Sequence, residues 1–358
     1  MRDHPDKTFV EYLCSGLRNG FDALVKTNNI TTKECNNNLS ARLQGNVVTE
    51  LIEKEVQKGF VYGPFSEPPF KNYRVSPIGV AEGKHSKRIL ILDLSAPHND
   101  HDISINGLID GDTCSMSYIE IDDVIKIKTQ YGKSTLLCKY DISDVIKIIP
   151  VKSDQWPLFC MKWKSSYYYY VRLSFGCRLS PIIFDTLSRV ICYIAEKNYK
   201  IKHILHLLDD FLTIDPPNYT TERTMALMTM IFNRLNIPLA THQTLGPTTC
   251  LEYLGIILDI EKLEARLPQD KVDRICEFIK IILHESSCTK RELLQLLGHM
   301  NFASRVIIPG RSFVSYLIEL STSVTVKELH YYVHLNKECR VDLQFYPFLK
   351  VGMVSTCL

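Results

Sequence analysis

Two adjacent aspartates interrupt an apolar run, HILHLLDDFLTID at residues 203–215, and this feature constrains the fold more than any other. The residues on both sides have the composition of buried β-strands, into which two like charges do not fit. The simplest arrangement places Asp209 and Asp210 at the tip of a β-hairpin. A tip that serves only the turn usually carries Gly or Asn, and neither is near. The doublet therefore indicates chemistry, with ordinary turn aspartates as the alternative.

A third carboxylate, Asp141, ends another strand-like run, LLCKYD. If this strand is a neighbour of the first, three carboxylates meet at one sheet edge, and each pair about 4 Å apart repels by about 4 kcal/mol at an effective dielectric near 20. Such a cluster requires either raised pKa values or bound divalent cations. Oxygen ligands suit Mg²⁺ or Mn²⁺, and two such ions about 3.5 to 4 Å apart serve in-line phosphoryl transfer. The spacing thus favours a two-metal site at Asp141, Asp209 and Asp210.

The composition is that of a folded protein without an overall basic field. Of the 358 residues, 45% are hydrophobic and 23% are charged, which excludes disorder throughout the chain. The 42 basic and 40 acidic side chains nearly balance, so a nucleic-acid partner would have to be bound in a local groove. The twelve cysteines are scattered without a CxxC pair, which indicates reduced thiols and neither a disulfide scaffold nor a zinc site.

The N-terminal residues and the hydropathy pattern predict a soluble, intracellular protein. Charges occupy the place where a signal peptide needs an apolar core, and no stretch reaches the roughly 18 apolar residues of a membrane span. We expect no membrane partner, and cytoplasm and nucleus remain equal alternatives because no dense Lys/Arg cluster marks nuclear import.

The order of predicted elements is that of an α+β protein with a helical C-terminal part. A polar stretch of about 45 residues at the start is expected to be a loosely attached arm. Ser180 followed by Pro181 predicts the cap and first residue of a helix, and Thr289 with Glu292 predicts a capping box. The further predictions are helices at 47–60 and 220–236, strands at 87–95 and 134–143, and a hairpin at 251–268.

Several long motifs resemble, in order, those of reverse transcriptases. They are RVSPIGVAEGKHSKRILILDLSAPH, KYDISDVIKIIPV, YYYYVRLSFGCRLSPIIFDTLS, LLDDFL and LNIPLATHQTLGPTTCLEYLGIILD. In detail the chain is similar to the reverse transcriptases of DIRS-like, tyrosine-recombinase-type retrotransposons, and the similarity covers almost its whole length.

The resemblance implies a right-hand polymerase fold with an antiparallel palm sheet. Residues 1–46 would form an N-terminal arm, 47–137 the fingers, 138–268 the palm, and 269–358 a partial helical thumb or connection that stops before a ribonuclease H domain. The departures from the family pattern described below suit a truncated or decaying copy.

The resemblance also implies an RNA-directed DNA polymerase that uses two Mg²⁺ or Mn²⁺ ions. The ions would be held by Asp141, Asp209 and Asp210 together with the backbone carbonyl of Ile142, and the substrates would be an RNA template, a DNA primer and a dNTP. The alternative is a catalytically impaired protein of the same fold that only binds a nucleic-acid duplex. A different phosphotransferase or nuclease ranks last, because only His206 is available as a general base.

Ten further residues match positions that contact substrates in the family. The nucleotide-binding set is Lys84, Lys87, Arg88, Ile146, Phe175, Gly176 and Gln243, and the primer-grip set is Tyr253, Leu254 and Gly255. Gly176 would let the main chain approach the nascent base pair, although a simple turn glycine is an equal alternative.

Three positions depart from the family pattern. Ile89 stands where a phosphate-binding arginine is expected, and Arg88, one residue earlier, points to the other strand face, which leaves Lys84 and Lys87 for the phosphates. Ile146 replaces an aromatic residue, so we expect weaker exclusion of ribonucleotides. Gln243 replaces a lysine and cannot donate a proton to pyrophosphate as an ammonium does; His242 is the neighbouring substitute.

Overall fold

A computed structural model describes residues 4–25, 31–83, 88–99, 101–111, 123–124, 132–216, 221–326, 328–345 and 356–357. The helices are α1 (Lys7–Asn19), α2 (Leu39–Leu43), α3 (Gly45–Gln57), α4 (Ser180–Tyr199), α5 (Thr221–Arg234), α6 (Gln269–Glu285), α7 (Lys290–Ala303), α8 (Ser315–Ser323) and α9 (Lys337–Phe345). No helix in this part of the chain is long and apolar enough to cross a membrane.

The strands follow one another in groups and pair mainly in antiparallel fashion, which confirms the predicted α+β class. They are β1 (Lys33–Glu34), β2 (Val61–Phe65), β3 (Arg74–Val75), β4 (Ile78–Glu82), β5 (Arg88–Leu92), β6 (Leu136–Asp141), β7 (Cys160–Trp163), β8 (Ser166–Tyr170), β9 (Ile204–Leu207), β10 (Asp210–Asp215), β11 (Leu245–Thr248), β12 (Cys250–Tyr253), β13 (Ile256–Asp259), β14 (Glu264–Arg266), β15 (Ser287–Thr289), β16 (Tyr332–His334) and β17 (Thr356–Cys357).

A four-stranded antiparallel sheet, hereafter the central sheet, has the order β11-β6-β10-β9. A second sheet, of order β1-β3-β7-β8-β2, combines parallel pairs at β1-β3 and β3-β7 with antiparallel pairs at β7-β8 and β8-β2. Strands β4 and β5 form a separate hairpin, and β12, β13, β14 and β17 form a third sheet.

The two faces of the central sheet pack against different cores, because side chains alternate along each strand. Cys138, Tyr140 and Phe211 point into the larger core, which also contains residues of α1, α3, α4 and α5. Leu137 and Leu212 point into a second core formed with β12–β14 and the helices from α6 onward. The central sheet therefore packs against apolar residues on both of its faces.

The N-terminal segment is not the loosely attached arm that its polar composition suggested. Leu13 in α1, Phe21 and Ala41 are 3%, 1% and 0% exposed and belong to the larger core. The prediction was wrong because a few apolar residues at helical spacing are enough to dock α1, while the polar majority faces outward.

Local predictions at helix starts had mixed outcomes. The capping box is confirmed: the Thr289 side chain accepts from the Glu292 N–H, and the Glu292 carboxylate accepts from the Thr289 N–H. Ser180 does not cap α4, since the N-cap is Leu179, and the Ser180 hydroxyl donates instead to the Ser174 carbonyl at 3.1 Å. The predicted hairpin at 251–268 contains three strands, β12 to β14.

Candidate active site

Asp141 and Asp210 are directly opposite each other in the central sheet. Asp141 is the last residue of β6, Asp210 is the first residue of β10, and the register of the two antiparallel strands pairs them. Their side chains therefore lie on the same face of the sheet, at the edge where β6 ends and β10 begins. The structure brings together the two carboxylates that the sequence places 69 positions apart.

The backbone hydrogen bonds make this a closely spaced pair. The carbonyl of Asp141 accepts from the Ala240 N–H at 2.8 Å, so the backbone polar groups of Asp141 face away from β10. Residues paired in this way without mutual hydrogen bonds have Cα atoms about 4.5 Å apart, closer than hydrogen-bonded pairs. Alternation along the strand directs the carbonyl of the next residue, Ile142, toward the β10 side, where Asp209 and Asp210 lie.

Asp209 lies in the two-residue turn that joins β9 to β10. Leu207 pairs with Asp210, which leaves Leu208 and Asp209 between the strands. Leu208 takes the left-handed conformation, with φ of 53°, although leucine avoids this region. The buried hydroxyl of Ser188 in α4 donates to the Leu208 carbonyl at 2.8 Å and holds the strained residue. The structure thus places the doublet at a hairpin tip, with the positive φ one residue before it.

An ammonium group lies within the carboxylate cluster. Lys139 precedes Asp141 by two residues in β6, so both side chains are on the same face. Its Nζ lies 3.0 Å from Asp210 Oδ1, and the side chains of Lys139 and Asp210 are only 13% and 18% exposed. Asp210 Oδ1 is buried and has no hydrogen bond of regular geometry among the described residues. The contact is therefore chiefly electrostatic.

The three aspartates have the donor chemistry that a divalent metal would use, but they do not form a preformed cage. Within the described residues, no group of three or more His, Cys, Asp or Glu side chains is gathered closely enough to enclose an ion. The buried Oδ1 of Asp210 and the facing Asp141 nonetheless provide hard oxygen donors from two paired strands.

The β12–β13 hairpin contacts the carboxylate cluster through Tyr253. Its buried phenol donates to the backbone carbonyl of Asp210 at 3.2 Å. Leu254 and Gly255 form the tip of this hairpin, with φ of 50° and 79°. The Gly255 carbonyl accepts from Lys271 Nζ of α6 at 3.0 Å, so the tip is fixed from both ends. The three predicted primer-grip residues therefore lie together, beside Asp210.

Ile146 lies in the loop that follows β6 and is only 7% exposed. Its φ is 71°, which is strained for a β-branched residue. Two ion pairs tie this loop to the end of α3: Lys147 with Glu55, and Lys58 Nζ with the Asp144 carboxylate at 2.6 and 2.7 Å. The Lys147 ammonium also lies 5.4 Å from the ring centre of Phe175. Phe175 therefore lies beside the residue that follows Ile146 in the loop.

Gly176 is required by contact with β5. With φ at 109°, a Cβ at this position would lie 2.0 Å from the Leu92 carbonyl oxygen. The glycine therefore permits close approach of a neighbouring strand, a reason that sequence reasoning did not anticipate. Asn106, which the sequence reasoning missed, fixes the same segment: its side chain donates to the Gly176 carbonyl and accepts from the Arg178 N–H, at 2.8 and 2.9 Å.

The remaining predicted nucleotide-binding residues are not gathered around the aspartates by any described contact. Arg88 is exposed at the start of β5 and pairs with Glu82, and Ile89 follows it on the opposite face. Lys84 and Lys87 lie outside the described residues. Gln243 is half-buried in the turn after Ala240, whose N–H bonds Asp141, and His242 beside it is exposed.

His206 lies on the wrong face of the sheet to act as a base for the aspartates. It pairs with Phe211, whereas its neighbour Leu207 pairs with Asp210. Its Nδ1 is 3.3 Å from Cys192 Sγ and its Nε2 is 3.1 Å from Asp185 Oδ1. Burial raises the pKa of the Cys192 thiol, so this residue stays protonated. These contacts link β9 to α4. They leave His206 too poorly placed to act as the general base of a nuclease at the aspartates.

No protein-family profile and no curated protein matches the sequence. Solved structures match the fold. A foamy viral protease-reverse transcriptase in its dRH form with double-stranded DNA has a TM-score of 0.64 and 15% identity, covering 91% of this chain and 51% of that chain. The same kind of protein with an RNA/DNA hybrid gives 0.63 and 14%, covering 92% and 40%. A further complex with double-stranded DNA gives 0.60 and 15%, covering 90% and 60%.

These likenesses concern the fold alone, because the identities are 14 to 15%. The chain spans between 40 and 60% of the length of the three matched proteins. The chain therefore has a reverse transcriptase-like fold.

Proposed function

We propose that this protein is an RNA-directed DNA polymerase of a retrotransposon of the DIRS-like type. The observation that carries the proposal is the direct pairing of Asp141 with Asp210, beside Asp209, in a chain with a reverse transcriptase-like fold. Two strands that present carboxylates at one edge, with a doublet at the hairpin tip, provide the oxygen donors that in-line nucleotidyl transfer requires.

Asp141, Asp209 and Asp210 would hold two Mg²⁺ or Mn²⁺ ions, with the carbonyl of Ile142 as a further ligand. Such ions lower the pKa of a primer 3′-hydroxyl and neutralise charge on the triphosphate of a dNTP. The protein's own contribution is positioning. Ser188 and Tyr253 hold the Leu208 and Asp210 backbone from opposite elements, so the doublet keeps a fixed place relative to Asp141.

A primed template would lie against the edge of the sheet at which these carboxylates meet. The matched reverse transcriptases are complexes with double-stranded DNA or an RNA/DNA hybrid, which supports a duplex ligand here. The turn at Tyr253, Leu254 and Gly255 would steady the primer end, while Arg88, Ile146, Phe175, Gly176 and Gln243 would line the nucleotide side. Base pairing would select the nucleotide, and the protein would contact backbone phosphates and duplex shape.

Primer extension on RNA and DNA templates, with Mg²⁺ or Mn²⁺, tests the proposal. We expect extension by the wild-type chain and its loss in Asp209→Asn, because the amide cannot replace an anionic ligand. The matched control is Asp270→Asn, since this exposed aspartate pairs with Arg274 at the surface of α6 and should not affect extension. Equal extension by Asp209→Asn and wild type would refute the assignment, as would a complete absence of extension with either metal.

Duplex binding without catalysis is the second candidate, and the Lys139–Asp210 ion pair favours it because the carboxylates are already neutralised in part. Salt-dependent binding of an RNA/DNA duplex measures this function directly. Tight, salt-sensitive binding together with no extension in either metal supports the binding protein over the enzyme.

A further inference from the structure

We propose that the ammonium of Lys139 is a built-in counter-ion of the active site, so that divalent metal binds only by displacing it. This inference rests on the proposed function, because it concerns the metal that Asp141, Asp209 and Asp210 would hold. It adds a residue outside the predicted ligand and substrate sets.

The position of Lys139 supports the role. Strand periodicity puts it on the carboxylate face, two residues from Asp141, and the register pairs it with Leu212, two residues from Asp210. From there the side chain reaches diagonally to Asp210, with 3.0 Å between Nζ and Oδ1. The ammonium thus occupies a place beside the donor oxygen that a metal would use.

The surroundings of the ion pair make it more than a surface contact. Lys139 and Asp210 are 13% and 18% exposed, so water screens them less than it screens an exterior pair. Asp210 Oδ1 has no hydrogen bond of regular geometry among the described residues that would anchor it elsewhere. A flexible lysine is therefore the partner that can leave when a stronger cation arrives.

The exchange has a measurable consequence. A dication at the aspartates must overcome repulsion from the ammonium and break its contact with Asp210, so removal of this charge should tighten metal binding. Since the repulsion acts over a few ångströms in a partly screened site, we expect the dissociation constant for Mn²⁺ to fall about tenfold or more. The change in Mn²⁺ affinity can be measured on the protein alone, without a nucleic-acid duplex, whose phosphates would also affect binding.

The test is a titration of the protein with Mn²⁺ alone, with free ion measured by electron paramagnetic resonance at constant ionic strength. The variants are Lys139→Met, which keeps the length of the side chain, and Lys139→Gln, which keeps a hydrogen-bond donor for Asp210. The control is Lys262→Met, because Lys262 also faces a carboxylate, Asp259, at 3.8 Å, but outside the site. Lys139→Gln keeps the test informative if Lys139→Met does not fold.

Tighter Mn²⁺ binding in the Lys139 variants, with wild-type affinity in the control, supports the inference. Unchanged or weaker binding overturns it, and weaker binding would assign Lys139 to holding Asp210 in place. These results leave the polymerase proposal standing if primer extension is retained. An absence of Mn²⁺ binding in wild type and all variants overturns both this inference and the proposed metal site.

Discussion

The phenol of Tyr253 donates a hydrogen bond to the backbone carbonyl of Asp210, with 3.2 Å between the two oxygens. This contact links the β12–β13 hairpin to the first residue of β10. Burial raises the pKa of Tyr253, and the carboxylates of Asp210 and Asp209 raise it further, so the phenol remains a donor throughout the working pH range. The hydrogen bond therefore connects the β12–β13 hairpin directly to β10.

Tyr253→Phe should lower the free energy of unfolding by about 1 to 2 kcal/mol, because a buried carbonyl loses a donor while the aromatic packing remains. Urea denaturation measures this loss as a shifted midpoint with an unchanged slope. Tyr332→Phe is the control, since Tyr332 is 65% exposed and its loss should cost less than about 0.5 kcal/mol. Equal midpoints for the two variants would show that the Tyr253 bond contributes nothing.

Gly176→Ala should destabilise the protein by more than about 3 kcal/mol, because the new Cβ would lie 2.0 Å from the Leu92 carbonyl oxygen at a φ of 109°. The comparison is Gly298→Ala in α7, where nothing lies within 4 Å of the added Cβ. There the higher helix propensity of alanine should stabilise by about 0.5 to 1 kcal/mol. Thermal and urea unfolding of both variants should therefore move in opposite directions, and a small effect at Gly176 contradicts the packing role.

Ser188→Ala should cost about 1 to 3 kcal/mol, since the Leu208 carbonyl loses the hydroxyl that donates to it at 2.8 Å in a buried position. Thr186→Ala is the matched control on the same helix, because the Thr186 hydroxyl donates only to the Ile182 carbonyl one turn earlier. Chemical denaturation compares the two. If the Thr186 variant loses as much stability as the Ser188 variant, the turn does not depend on Ser188.

The sequence predicted the relation among the aspartates because strand periodicity and a hairpin tip leave few arrangements. The doublet at the end of an apolar strand and Asp141 at the end of another predict a shared sheet edge, and the register Asp141 to Asp210 agrees. The start of helix α7 was also predictable, because its capping box involves only the four consecutive residues from Thr289 to Glu292.

Contacts between distant segments were not predictable from local pattern. In the sequence, Lys139 is simply one polar residue in a predicted strand. Only the register of that strand with β10 shows that its ammonium reaches Asp210. Gly176 reads as a turn glycine until β5 is placed against it. The segment containing Leu13 and Phe21 reads as polar, because composition averages over the few residues that dock it. Each miss concerns a long-range neighbour, which a single sequence does not specify.

Asp215, at the opposite end of β10 from Asp210, is 4% exposed. Its Oδ1 accepts from the Thr224 hydroxyl at 3.2 Å, and its Oδ2 has no hydrogen-bond partner in the described part of the chain. Burial raises the pKa of Asp215 to about 6, although the hydrogen bond from Thr224 acts to lower it. The native state therefore holds a proton that the unfolded chain releases near pH 4.

The sign of the pH effect follows from this difference in proton binding. Between about pH 4 and 6 the native state binds more protons than the unfolded state, so stability falls as pH rises, and above pH 6 the full cost of the buried charge remains. A pKa difference of about two corresponds to about 3 kcal/mol as an upper value. Asp215→Asn, which carries no charge, should match wild type near pH 4 and be more stable by about 1 to 3 kcal/mol at pH 8.

Asp259→Asn is the control of opposite sign. Burial alone would raise the pKa of Asp259, but hydrogen bonds from the Lys262 N–H and the Arg266 guanidinium lower it below the ordinary value. The stability from this ionised group is present above about pH 4 and is lost as pH falls through the lowered pKa, so the variant should be less stable than wild type at pH 8. Urea denaturation of all three proteins at pH 4, 6 and 8 gives the comparison. A pH-independent difference between Asp215→Asn and wild type would contradict the buried-charge account, because only a titrating carboxyl changes its contribution across this range.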